Sequence, residues 1–148
     1  MVVITGTGRS GTSLIMLILD ACGVNTGLKP LEDFKKEINA GMEIGLTDRI
    51  SRKVEVIKSP EYSDAFDQLV RLFPIRHVIV PMRDIDSVAK SRADNSILVG
   101  GEDSVMTAEY LVRRNYEMTC QIARHNLPVS FVDFERMLND CDYTYSKL

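Results

Sequence analysis

The residues best equipped for chemistry stand near the start of the chain. Gly6-Thr7-Gly8-Arg9-Ser10-Gly11-Thr12-Ser13 follows a β-branched run, Val2–Thr5, and opens a helical pattern from Thr12 to Cys22. A glycine-rich turn between a strand and a helix holds anions, because backbone N–H groups and the positive end of the helix dipole converge there. The spacing is close to the phosphate loop G-x-x-x-x-G-K-[ST]. It departs in its cation. Thr12 occupies the lysine position, and the one basic residue of the loop, Arg9, lies three positions earlier. In nucleoside triphosphatases and kinases that lysine serves the β- and γ-phosphates and the next hydroxyl serves Mg²⁺. The loop therefore predicts an anion site without the usual triphosphate arrangement. Its residues are Gly8, Arg9, Ser10, Gly11, Thr12 and Ser13, and helix capping by the hydroxyls is compatible with that role.

Such a loop needs a frame that gathers strand ends. Val2–Thr5 reads as a buried strand, and Gly23 stands where a C′ residue would end the first helix. Residues 25–52 are polar and weakly patterned, which suggests one or two short helices. Val54–Lys58 is a second strand, Ser63–Phe73 a helix, and Arg76–Met82 a third strand. Asp84 is placed to cap a helix through Ala93, and Asn95–Asp103 is a loop. Ser104–Asn126 is a long helix with Met106, Tyr110, Val112, Tyr116 and Ile122 among its apolar positions. Val129–Phe134 is a fourth strand, followed by a short helix or tail. Apolar strands alternating with helices imply a parallel sheet covered on both faces. The expected fold is α/β, a three-layer α/β/α P-loop fold with about four to five parallel strands, with residues 1–148 forming one domain.

GTGRSGTSLIMLILDACG resembles the 5′-phosphosulfate loop of the sulfotransferases that use 3′-phosphoadenosine 5′-phosphosulfate (PAPS), particularly the bacterial and tyrosylprotein-type branches. The third strand ends in Met82-Arg83-Asp84, and Ser91 lies eight residues after Arg83. This is similar to the family's arginine and serine, which hold the 3′-phosphate of PAPS. Arg83 would stand at the carboxyl end of a parallel strand, where such sheets bind ligands, and Ser91 about two turns into the next helix. Asn39-Ala40-Gly41-Met42-Glu43 resembles the N-x-x-G-[YF]-x-E region of bacterial members, one residue shorter. Val56-Ile57-Lys58-Ser59-Pro60 resembles the family's strand ending in a lysine, and Val132-Asp133-Phe134-Glu135-Arg136-Met137-Leu138 its late strand–helix junction. The resemblance implies a transferase that moves the sulfuryl group of PAPS to a hydroxyl or amine acceptor, releasing PAP. Arg9 would hold the 5′ end, Lys58 would lie where leaving-group charge grows, and Arg83 and Ser91 would select the 3′-phosphate. It implies no metal.

Other readings of these residues stand beside it. Arg83 could pair with Asp84 or Asp86, Ser91 could be an ordinary helix residue, and Lys58 an exposed strand end. Arg92 either assists the 3′-phosphate or is solvated. The family's histidine base has Pro60 in its place, and its basic C-terminal cofactor segment has no counterpart before Leu148. The base then falls to a carboxylate: Glu43 first, Glu61 next, Asp33 behind them. His77 lies at a strand entrance, opposite the expected site, and His125 at a helix end. A metabolite kinase with a degenerate loop and a non-catalytic nucleotide-binding module remain alternatives.

Composition narrows the partners. With 18 basic and 21 acidic residues the chain carries a net charge of −3, so no global field favours nucleic acid or an anionic membrane. Its longest apolar run, Leu14–Leu19, is far short of the ~20 residues of a membrane span. The start shows a strand and a glycine-rich turn rather than a secretory signal. Cys22, Cys120 and Cys141 lack metal-ligand spacing and read as buried or reduced free thiols of a cytoplasmic protein. At 148 residues the acceptor pocket, for a small molecule, saccharide or peptide, would be skeletal or completed by a second subunit, as in a homodimer.

Overall fold

The computed structural model describes residues 1–27, 34–35, 40–41, 53–60, 62, 65–94 and 108–148. Their elements are β1 (Val2–Ile4), α1 (Thr12–Ala21), β2 (Phe34–Lys35), β3 (Ala40–Gly41), β4 (Val56–Lys58), α2 (Phe66–Leu72), β5 (His77–Met82), α3 (Ile85–Asp94), α4 (Ala108–Arg124), β6 (Val129–Asp133), α5 (Phe134–Asn139) and α6 (Cys141–Lys147). Four strands form an all-parallel sheet in the order β4-β1-β5-β6, with helices on both sides. This is the expected three-layer α/β/α fold.

Burial on both faces explains why the strands are continuous apolar runs rather than alternating ones. All three residues of β4 are buried, as are Val78, Ile79 and Val80 in β5. Ile15, Met16 and Leu19 of α1 complete the core beside β1 and β4. Helix α1 stops where its sequence tells it to. Gly23, at φ 83°, donates to the Asp20 carbonyl, and Val24 N donates to the Leu19 carbonyl, the two bonds of a Schellman motif. Asp84 caps α3, accepting from Ser87 N at 2.8 Å.

Pro81 interrupts β5 at an informative place. Val78 N bonds the Pro128 carbonyl on the β6 side, so by ladder alternation the nitrogen of Pro81 faces β1. The last such link across that boundary is Thr5 N to the Ile79 carbonyl at 3.1 Å. Lacking the next donor, the two strands part, and β1 turns into its glycine-rich loop.

Some expectations change. Between residues 25 and 52, where short helices were expected, the described residues form a two-residue antiparallel ladder, Phe34 with Gly41 and Lys35 with Ala40. Val112 and Tyr116, placed among the apolar positions of the long helix, are 55% and 69% exposed. The buried stripe of α4 is Leu111, Met118 and Ile122; residues 112 and 116 lie roughly 100° and 140° around the helix from it. Met106 and the 95–103 loop lie outside the described residues. All three cysteines are free, with Cys22 and Cys141 exposed and Cys120 half-buried. No helix among the described residues is long and apolar enough to cross a membrane.

Candidate functional site

The strand order locates the site before any side chain is considered. The chain passes from β1 to β4 on one side, then crosses back to β5 on the other. Ligands of open parallel sheets bind outside the carboxyl ends of the strands at such a reversal. Residues 5–11 fill that position, with Lys58 ending β4 on one flank and Arg83 following β5 on the other.

The loop is held in a restricted conformation. Gly6 and Gly11 have φ of 151° and 108°, and Arg9 adopts φ 76°, a left-handed geometry that is uncommon for a residue with a Cβ. Such strain persists where surrounding contacts enforce it, and it is often a mark of function. The contacts are visible here. Arg9 Nε donates to Ser91 Oγ at 3.0 Å, across 82 positions of sequence. Arg83 Nη1 donates to the Arg9 carbonyl at 3.3 Å, and Arg92 Nη1 to the Gly8 carbonyl at 3.4 Å. A Cβ on Gly8 would lie 2.8 Å from that Arg92 nitrogen, so glycine is what lets the guanidinium reach the loop. Two arginines thus bind successive carbonyls of the loop, on the flank where β5 leads into α3.

On the other flank, Lys58 Nζ donates to Ser13 Oγ at 3.2 Å, in the first turn of α1. Lys58 is 1% exposed, which overturns the alternative of an exposed strand-end lysine. Arg92 is 8% exposed, so it is not solvated; burial pushes its pKa down, an effect that Tyr110 opposes and Arg114 adds to. Arg83 makes no ion pair with Asp84 or Asp86. Asp84 is instead held below the usual carboxylate range by its hydrogen bonds from Ser87, with a smaller contribution from the Arg83 charge.

The loop also keeps polar atoms in reserve. Ser10 Oγ, Thr5 Oγ1 and Arg83 Nε are buried and have no hydrogen-bond partner among the described residues. Buried donors and acceptors are usually satisfied, so a cluster of them beside a glycine-rich turn marks where a polar ligand would complete the bonding. Gly11 is the N-cap of α1, and having no side chain it makes no side-chain cap bond. The donor set is cationic and hydroxylic throughout, which suits an oxyanion.

Among the sequence candidates, Gly8, Arg9, Ser10, Gly11, Thr12, Ser13, Lys58, Arg83 and Ser91 all lie at this one end of the sheet. Glu43, Glu61, Asp33 and Asn39 lie outside the described residues. His77 lies at the amino end of β5, with Nε2 2.8 Å from Ser130 Oγ, and His125 joins Asp67 at 2.6 Å; both are away from the loop, as expected. One neighbour was missed. Phe134 packs its ring against both Gly11 and Arg83. No local sequence signal marked it: the β5–β6 register, a property of the assembled sheet, is what sets it beside Arg83. No protein-family model matches the chain, and a search of curated proteins found no match.

Proposed function

We propose that this protein is a sulfotransferase that moves the sulfuryl group of PAPS to a hydroxyl or amine acceptor and releases PAP. The observation that carries this reading is the junction of Arg9, Ser91 and Arg83. Three residues that the resemblance assigns to the two ends of one nucleotide meet through bonds of 3.0 and 3.3 Å, although they come from separate parts of the chain. The unsatisfied Ser10 Oγ and Arg83 Nε fit a ligand that brings more than one oxyanion.

When bound, PAPS supplies an activated sulfuryl group on a phosphate leaving group. The chain's own residues have to hold and neutralise anions, the form of catalysis that pre-set cations deliver best. Arg9 and the loop amides would hold the 5′ end, Arg83 and Ser91 the 3′-phosphate. Lys58, buried against the first turn of α1, would offset charge that grows on the leaving oxygen. The acceptor's proton would go to a carboxylate, Glu43 by preference or Glu61.

The kinase alternative meets a specific obstacle. Ser13 occupies the hydroxyl position that carries Mg²⁺ in a triphosphate loop, yet here it accepts from the Lys58 ammonium at 3.2 Å. An ammonium in that place repels a divalent cation. Calorimetric titration with PAP, PAPS, ATP and ADP, each with and without Mg²⁺, tests the reading. PAP and PAPS should bind without metal; tight, Mg²⁺-dependent ATP binding would overturn it. Turnover of labelled PAPS then separates the enzyme from a non-catalytic binding module.

A further inference from the structure

We infer that Phe134 is a positioning residue for Arg83: an aromatic platform that fixes the plane in which the guanidinium meets an anion. The inference rests on the PAP-binding reading above. Strand register creates the pair. β5 and β6 run parallel with Met82 opposite Asp133, so the next residue of each strand is Arg83 and Phe134. Arg83 Cζ lies 4.6 Å from the ring centroid, inside the ~6 Å reach of a cation–π contact.

A guanidinium is planar, and all its N–H donors point outward in that plane. A ring beneath the guanidinium carbon restricts how the group can move while leaving the donors directed away from the ring open to an anion. There, Nη1 bonds the Arg9 carbonyl at 3.3 Å, and Nε is buried without a partner among the described residues. The ring thus orients a cation whose bonding is incomplete. The same ring also covers the start of α1. A Cβ on Gly11 would lie 2.5 Å from its Cδ2 and 2.6 Å from its Cε2, so Phe134 spans the loop–helix junction and the arginine together.

The platform has a firm base. Asp133 accepts from Arg136 N at 2.8 Å, capping α5, and its own N–H donates to Tyr143 Oη of α6 at 2.7 Å. The Tyr143 ring in turn lies 4.1 Å from the Arg136 guanidinium carbon. The turn that carries Phe134 is consequently held from two helices.

The decisive quantity is the ratio of affinities for PAP and adenosine 5′-phosphate, which differ only in the 3′-phosphate. Effects of Phe134 on the loop act on both ligands and cancel in the ratio; effects through Arg83 do not. Phe134→Leu should cut the ratio by about 2–30-fold, the span of cation–π contributions, while Phe134→Tyr, which keeps the ring, should preserve it. A folded Phe134→Leu protein with the wild-type ratio overturns the proposal, as does a Phe134→Tyr protein that loses as much as Phe134→Leu. If Phe134→Leu does not fold, Phe134→Met is read by the same criterion. Failure of the underlying reading looks different: the unmutated protein would show no preference for PAP, or Arg83→Ala would leave that preference intact.

Discussion

Gly11→Ala tests how tightly the loop, the helix and Phe134 are locked together. Two costs follow from the geometry. At φ 108° a residue with a Cβ suffers backbone strain of about 1–2 kcal/mol. The new methyl would also lie 2.5 and 2.6 Å from two ring carbons of Phe134, where ordinary contact begins near 3.4 Å. The ring must retreat, at an overpacking cost of about 1–3 kcal/mol. Together these amount to about 2–5 kcal/mol out of a stability of about 5–15 kcal/mol. At about 2–4 °C per kcal/mol for a chain near this size, the melting temperature should fall by about 4–20 °C. Urea unfolding followed by circular dichroism supplies the free energy and thermal scans the midpoint. In a Phe134→Ala background the methyl meets no ring, so Gly11→Ala should then cost only the backbone share, about 1–2 kcal/mol. In the otherwise unmutated protein, displacing the ring should also reduce the preference for PAP over adenosine 5′-phosphate. A cost below about 1 kcal/mol in both backgrounds, or the same large cost in both, would refute the reasoning.

Arg83→Ala should weaken PAP binding by about 10–150-fold, the value of a charge-assisted hydrogen bond, and adenosine 5′-phosphate binding far less; equal losses would remove Arg83 from the 3′-phosphate. Ser91→Ala should show a smaller preference of the same kind, because it also releases Arg9 Nε, which serves both ligands. Thr12→Lys should not produce Mg²⁺-dependent ATP hydrolysis, since Ser13 stays bonded to Lys58; an ATPase rate that rises with Mg²⁺ would favour the kinase alternative. Asp67 is held below the usual carboxylate range chiefly by its hydrogen bond from His125, so its contribution to stability is present above the unfolded carboxyl pKa and lost as pH falls through the lower folded value. Asp67→Ala should accordingly lower the melting temperature at neutral pH, with the deficit shrinking below about pH 4; a deficit independent of pH would count against the pair.

Local patterns are what the sequence by itself determined. The strand–turn–helix of residues 2–21, the Schellman ending at Gly23 and the Asp84 cap were legible because each depends on neighbours within a few positions: periodicity, glycine at positive φ, a carboxylate reaching an N–H three residues on. The parallel, two-sided sheet was legible too, since strands buried on both faces must be apolar throughout. Arg83, Ser91 and Lys58 were picked out by their places after strands and by family likeness, without any contact among them being implied. Tertiary structure decided the contacts. Only the order β4-β1-β5-β6 sets Lys58 and Arg83 on opposite flanks of one loop. It also turns Arg9 onto Ser91, buries Arg92 under Gly8, and brings Phe134 against Gly11 and Arg83. The same holds for α4, where apolar Val112 and Tyr116 face away from the buried stripe and packing alone chose Leu111, Met118 and Ile122 for the core. Periodicity specifies which face of an element is apolar, but not which element it will meet; the meeting is settled by strand order and register, which depend on the whole chain at once.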